Sequence, residues 1–234
     1  MVVRASALLA LCADLGAYHV FAGELPDISL WWEVAVVALL VMPATFGLVW
    51  LALPVRGSPY VLPAVVVLAG LAVFLEAKDL EIAANFVKLA AVTGAGWFFL
   101  RFFEEVSWVL LVAVLIIPVD IFSVARGPTK HILEQQPGVF DRLSVAFPVP
   151  GEQSLAQLGL PDVLFFALFL GAADRFGLRR RLTWLLCTLS FGATMALTVR
   201  FDVTGLAALP LLSAGFVLAN ADLLWARIRR RRPA

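Results

Sequence analysis

Asp120 and Asp162 are the residues of this sequence with the strongest claim to chemistry. Each interrupts an apolar run: Ile116-Ile117-Pro118-Val119-Asp120-Ile121-Phe122 and Gly159-Leu160-Pro161-Asp162-Val163-Leu164-Phe165-Phe166. A carboxylate inside a bilayer costs ~2.5–3.5 kcal/mol even on lenient insertion scales, so it requires a reason. Two carboxylates that face each other can share one proton, because neighbouring like charges do not both ionise. One then serves as base to activate water and the other as acid to polarise a peptide carbonyl, which is aspartic-protease chemistry. The plainer reading of either aspartate alone is a helix cap or a group facing interfacial water. Asp162 follows Pro161 at an expected helix start, where the helix dipole favours the base, which leaves the acid role to Asp120.

The elements that must position this pair are membrane spans. The chain has 234 residues, of which 62% are hydrophobic and only 15% charged, and its mean hydropathy is +0.95. A soluble domain is nearer one-quarter charged. Apolar runs of span length occur roughly at Val3–Phe21, Trp31–Leu53, Val61–Leu75, Ile82–Leu100, Phe102–Val124, Pro161–Phe176, Leu182–Val199 and Gly205–Ile228. The expected fold is therefore all-α, a polytopic transmembrane bundle of about eight helices. Residues 1–101 form an N-terminal half of about four spans, and 102–234 form a second half containing the long loop 125–160. Within that loop Leu143-Ser144-Val145-Ala146-Phe147 suits a short strand. The first run is read as a span rather than a cleaved signal, since Asp14 and His19 interrupt it.

Charge sets a direction. With the N-terminus in the cytoplasm, Arg4, Arg56, Arg101, Arg175, the Arg179–Arg181 cluster, Arg227 and the Arg229–Arg232 tail all fall inside. The long loop and both aspartates then lie toward the outer side. Both termini are expected to be cytoplasmic, in an integral, multi-pass membrane protein, most simply of the cell membrane. The net charge of +1 gives no field for nucleic acid. Cys12 and Cys187 lie in separate apolar runs with no metal-ligand spacing, so neither a metal nor a cofactor is expected. Lys88, inside the fourth span, is expected to meet an acidic partner such as Glu104 or Glu105.

Residues Asp120 to Pro210 resemble the presenilin and signal peptide peptidase family of intramembrane aspartyl proteases. That family carries a Tyr-Asp motif, a Gly-x-Gly-Asp motif and a Pro-Ala-Leu motif, in that order. Here Val119-Asp120, Gly159-Leu160-Pro161-Asp162 and Ala207-Ala208-Leu209-Pro210 stand in their places. The stretch from Gly127 to Glu134, including His131, resembles the family's segment after its first aspartate. Val119, Pro161 and Ala207 depart from the family pattern, and both aspartates remain. The resemblance implies a presenilin-like fold, catalysis by Asp120 and Asp162, and substrate contacts at Gly159, Leu160, Pro161, Ala208, Leu209 and Pro210. It further implies strand pairing with a substrate, for which Leu143, Ser144 and Val145 are the candidates. Substrates would be transmembrane peptides or signal-peptide remnants, cut within the lipid bilayer. The orientation matches the signal peptide peptidase arrangement, which favours substrates with cytoplasmic N-termini. Pro210 is expected to kink the last span and free a carbonyl.

Two other classes stay open. The motif departures suit a non-catalytic membrane scaffold on the same fold. Paired aspartates also suit a proton-coupled transporter, although no inverted repeat is evident.

Overall fold

Apolar runs surrounded by lipid have no water to bond, so their backbone must close on itself as helix. The computed structural model describes residues 2–127, 137–151, 155–203 and 205–229. Helix α1 is Val2–Phe21. A broken rod follows: α2 (Leu30–Val36), a π-helical turn (Val37–Val41) and α3 (Met42–Ala52). Pro43 explains the break. In a regular helix its ring would press on the carbonyl four residues earlier, and the wider turn relieves that clash. Helices α4 (Val61–Glu76), α5 (Glu81–Phe99) and α6 (Val106–Arg126) come next. A short α7 (Pro137–Arg142) leads into strands β1 (Ser144–Pro148) and β2 (Leu155–Gly159). Helices α8 (Leu160–Arg175), α9 (Arg180–Phe201) and α10 (Leu209–Arg229) complete the chain.

Among the described residues, six helical segments are long and apolar enough to cross a membrane: α1, the broken rod, α5, α6, α9 and α10. Helix α4 is apolar but has 16 residues, and α8 also has 16. At 1.5 Å per residue, that length is about 24 Å against a hydrocarbon core of ~30 Å. Each expected apolar run coincides with a helix, but the third and sixth, α4 and α8, fall short of membrane-spanning length. The last run differs in extent: residues 205–208 have no regular secondary structure and the helix starts only at Leu209. Pro210 therefore sits in the first helical turn, where its missing N–H leaves no bond unmade. The expected mid-helix kink does not form.

Helix α8 is the centre of the bundle. No residue from Phe166 to Leu170 is more than 1% exposed, and α5, α6, α9 and α10 pack around it. Phe46 of α3 forms a three-ring cluster with Phe166 and Phe191, its ring centroid 4.2 and 5.0 Å from theirs. Gly96 lets α5 approach α8 closely: a Cβ there would sit 2.5 Å from the Leu164 carbonyl oxygen. Small residues at such contacts are the usual means of tight helix packing in lipid, where dispersion replaces the hydrophobic effect.

The bundle has two chemically different ends. At one, Asp174 holds Arg56 (2.9 Å) and Arg180 (2.7 Å). Arg175 there donates to the Leu100 carbonyl at 2.7 Å, and Arg179 grips Asp222 through both of its terminal nitrogens. Buried Asn220 accepts from the Arg179 N–H and donates to Thr183. These basic residues are the ones that the charge asymmetry assigns to the cytoplasm. Asp162, twelve residues before Asp174 on α8, lies about 18 Å along the axis toward the other end. Lys88 pairs with Glu76 at 3.1 Å. The expected partners Glu104 and Glu105 follow the far end of α5, while the tight α4–α5 turn delivers Glu76.

Candidate active site

Asp120 lies in the last turns of α6, and Asp162 in the first turn of α8. Both line one cavity of about 570 Å³. Its wall includes Gly159, Pro161 and Ala208, with Met42, Phe191, Thr194 and Met195 on neighbouring helices. Both aspartates are partly buried.

The late start of α10 has a consequence for Asp120. The first N–H groups of a helix have no partner within it. The Leu209 N–H donates instead to Asp120 Oδ2 at 3.0 Å. The positive end of α10 thus faces Asp120, while Asp162 sits at the N-terminus of its own helix. Each carboxylate meets a helix N-terminus, so the dipole does not separate base from acid as expected from the sequence.

At Asp162 the close approach falls to Gly159. A Cβ there would lie 3.1 Å from Asp162 Oδ2. Asp162 is the third residue of α8, directly over its N-cap Gly159. Pro161 occupies the first turn without distortion. The first glycine of the motif thus supplies the room, and a proline in place of the second is compatible with the geometry. Val119 is 59% exposed and is not among the lining residues.

Strand β1 pairs antiparallel with β2, from Ser144 opposite Gly159 to Pro148 opposite Leu155. The expected strand is therefore present, one residue further along. Its second edge is occupied. Asn85 of α5 accepts from the Ala146 N–H (2.8 Å) and donates to the Ala146 carbonyl (2.9 Å). Tyr18 of α1 donates to the Pro148 carbonyl at 2.9 Å. In an antiparallel pair the bonding direction alternates along each strand. Since Ala146 faces Asn85, Val145 and Phe147 face β2. On β2 the backbone groups of Leu155, Gln157 and Gly159 then point away from β1. Among the described residues, the pairing edge left available belongs to β2, and it ends at the residue that touches Asp162.

This changes the part played by the residues expected to bind substrate. Leu143, Gly159, Pro161 and Ala208 line the cavity with the two aspartates. Leu209 bonds to Asp120. Leu160 and Pro210 serve as first-turn residues and are not among the lining. Ser144 and Val145 are each 1% exposed and sit inside the hairpin rather than on its pairing edge. His131 lies outside the described residues. Asn85 and Tyr18 were not singled out by sequence; a lone Asn in the apolar run Ile82–Leu100 was the available signal. Gln157 Nε2 also donates to Asp141 Oδ1 at 2.7 Å, tying α7 to β2 beside the cavity. Among the described residues, no group of three or more His, Cys, Asp or Glu is placed to hold a metal.

No family model, curated protein or solved structure matches the chain.

Proposed function

We propose that this chain is an intramembrane aspartyl protease of the Gly-x-Gly-Asp type, cutting transmembrane peptides or signal-peptide remnants. The observation that carries the reading is that Asp120 and Asp162, from two different helices, line one cavity. The Leu209 amide on Asp120 and Gly159 against Asp162 support it, since each of the three motif positions meets the pair. In this reading the chain crosses the membrane eight times with both termini in the cytoplasm. The arginine-rich end faces inward and the hairpin end outward.

The chemistry needs only these side chains and water. The ionised carboxylate takes a proton from water as the water oxygen bonds to the peptide carbonyl carbon. The protonated carboxyl gives its proton to the carbonyl oxygen. The resulting tetrahedral diol collapses, the C–N bond breaks, and a proton passes to the leaving nitrogen. A helical substrate must first unwind, because its peptide bonds are closed within its own hydrogen bonds. The outward N–H and C=O groups of β2 offer replacement partners for the extended segment. They would deliver it to Gly159 and hence to Asp162.

The test offers the purified protein a single-span peptide with its N-terminus on the arginine-rich side, in liposomes, and maps the products by mass spectrometry. The expected result is a cut inside the apolar segment. A cut only in the soluble flanks, or none, would overturn the reading. Proton-coupled solute uptake without cleavage would favour a transporter.

A further inference from the structure

We propose that Asn85 is a positioning residue that acts as a substitute strand for β1 and so directs substrate to β2; this rests on the protease reading above. One side-chain amide satisfies both backbone groups of one residue, Ala146, at 2.8 and 2.9 Å. That is the pattern a neighbouring strand would supply. Asn85 is 7% exposed, so its bonds form where water does not compete. The same edge is sealed further along by the Tyr18 hydroxyl on the Pro148 carbonyl at 2.9 Å. His19 Nε2 approaches the Ala146 carbonyl at 3.4 Å. The hairpin turn is fastened to the segment after α1 by the Gly151 N–H on the Ala22 carbonyl at 2.8 Å. Helices α1 and α5 thus hold the hairpin from outside, at a fixed height relative to α8.

Two consequences follow. An extended substrate cannot add to β1, because that edge has no free groups at Ala146, and it adds to β2. The hairpin's height also sets which peptide bond reaches the aspartates. Strand pairing repeats every two residues, so a hairpin freed from α5 presents more than one register.

The experiment compares wild type with Asn85→Ala and with the isosteric Asn85→Asp, which keeps the acceptor for the Ala146 N–H and removes the donor to its carbonyl. The first readout is amide hydrogen exchange, which is independent of activity. In wild type the Ala146 amide exchanges as slowly as that of Val145, although it faces away from β2. In Asn85→Ala it exchanges about tenfold faster or more. The second readout is the map of cut sites on a single-span peptide. Asn85→Ala raises KM more than it lowers kcat and spreads cleavage over neighbouring bonds; Asn85→Asp shows a smaller change in the same direction. Fast exchange at Ala146 in wild type would overturn the proposal even if neither variant folds. So would a folded Asn85→Ala with unchanged exchange, or with unchanged KM and cut sites. If wild type cuts nothing, the protease reading fails while the exchange data still decide the clamp.

Discussion

Replacing Gly96 with alanine should damage activity far more than stability. The added Cβ would stand 2.5 Å from the Leu164 carbonyl oxygen and 3.2 Å from the Leu168 nitrogen. Both are backbone atoms of α8, so no side chain can swing aside. Ordinary contact begins near 3.4 Å, which requires α8 to retreat by about 0.9 Å. Leu164 lies two residues after Asp162, or about 3 Å along the helix, so the carboxylate moves with it. A misplacement of ~1 Å at a catalytic group costs on the order of 10²-fold in rate. Overpacking itself costs ~1–3 kcal/mol, and the better helix propensity of alanine returns about 1 kcal/mol. The net loss of stability is therefore about 2 kcal/mol or less. The assay is cleavage of a single-span peptide alongside thermal unfolding in detergent. Gly16→Ala on α1 is the control, since its Cβ would meet nothing within 4 Å. A Gly96→Ala variant with wild-type cleavage rate would refute the α5–α8 contact as the feature that sets the position of Asp162.

Two further outcomes follow from individual contacts. Gly159→Ala puts a Cβ 3.1 Å from Asp162 Oδ2. It should lower kcat with little change in unfolding temperature, and equal kcat in the two proteins would count against Gly159 as the residue that gives Asp162 its room. Asn220→Val removes the bonds to the Arg179 N–H and to Thr183 Oγ1, and Thr183 is fully buried. This should destabilise by ~1–3 kcal/mol, measured by thermal unfolding, without moving the cleavage site.

The long helices were legible because apolar runs such as Trp31–Leu53 are of membrane-spanning length, and in lipid a backbone of that kind closes its hydrogen bonds only as helix. The aspartates were legible for the complementary reason, since a charge in such a run is expensive. Where α10 begins was not legible. Residues 205–208 are as compatible with helix as those after them, and Pro210 reads equally as a kink or as a first-turn residue. The structure chooses the latter, and that choice frees the Leu209 N–H for Asp120. Strand β1 was legible from the short apolar run Leu143–Phe147 between turn-forming segments, but its edges were not. Which edge is free depends on α1 and α5 standing beside it, and such neighbours are set by packing across the whole bundle. Asn85 and Tyr18 carry no motif, and their meaning appears only once Ala146 and Pro148 lie against them. The partner of Lys88 was missed for a similar reason. The α4–α5 turn brings Glu76 to it, whereas Glu104 and Glu105 are nearer in type than in space.

The central claim is that Asp120 and Asp162 act as one catalytic pair. Its most direct test is cleavage of a single-span peptide by wild type, Asp120→Asn and Asp162→Asn, each shown to be folded by its unfolding transition. The account predicts a cut within the apolar segment by wild type and none by either variant. Cleavage at the same bond that survives either substitution would contradict it.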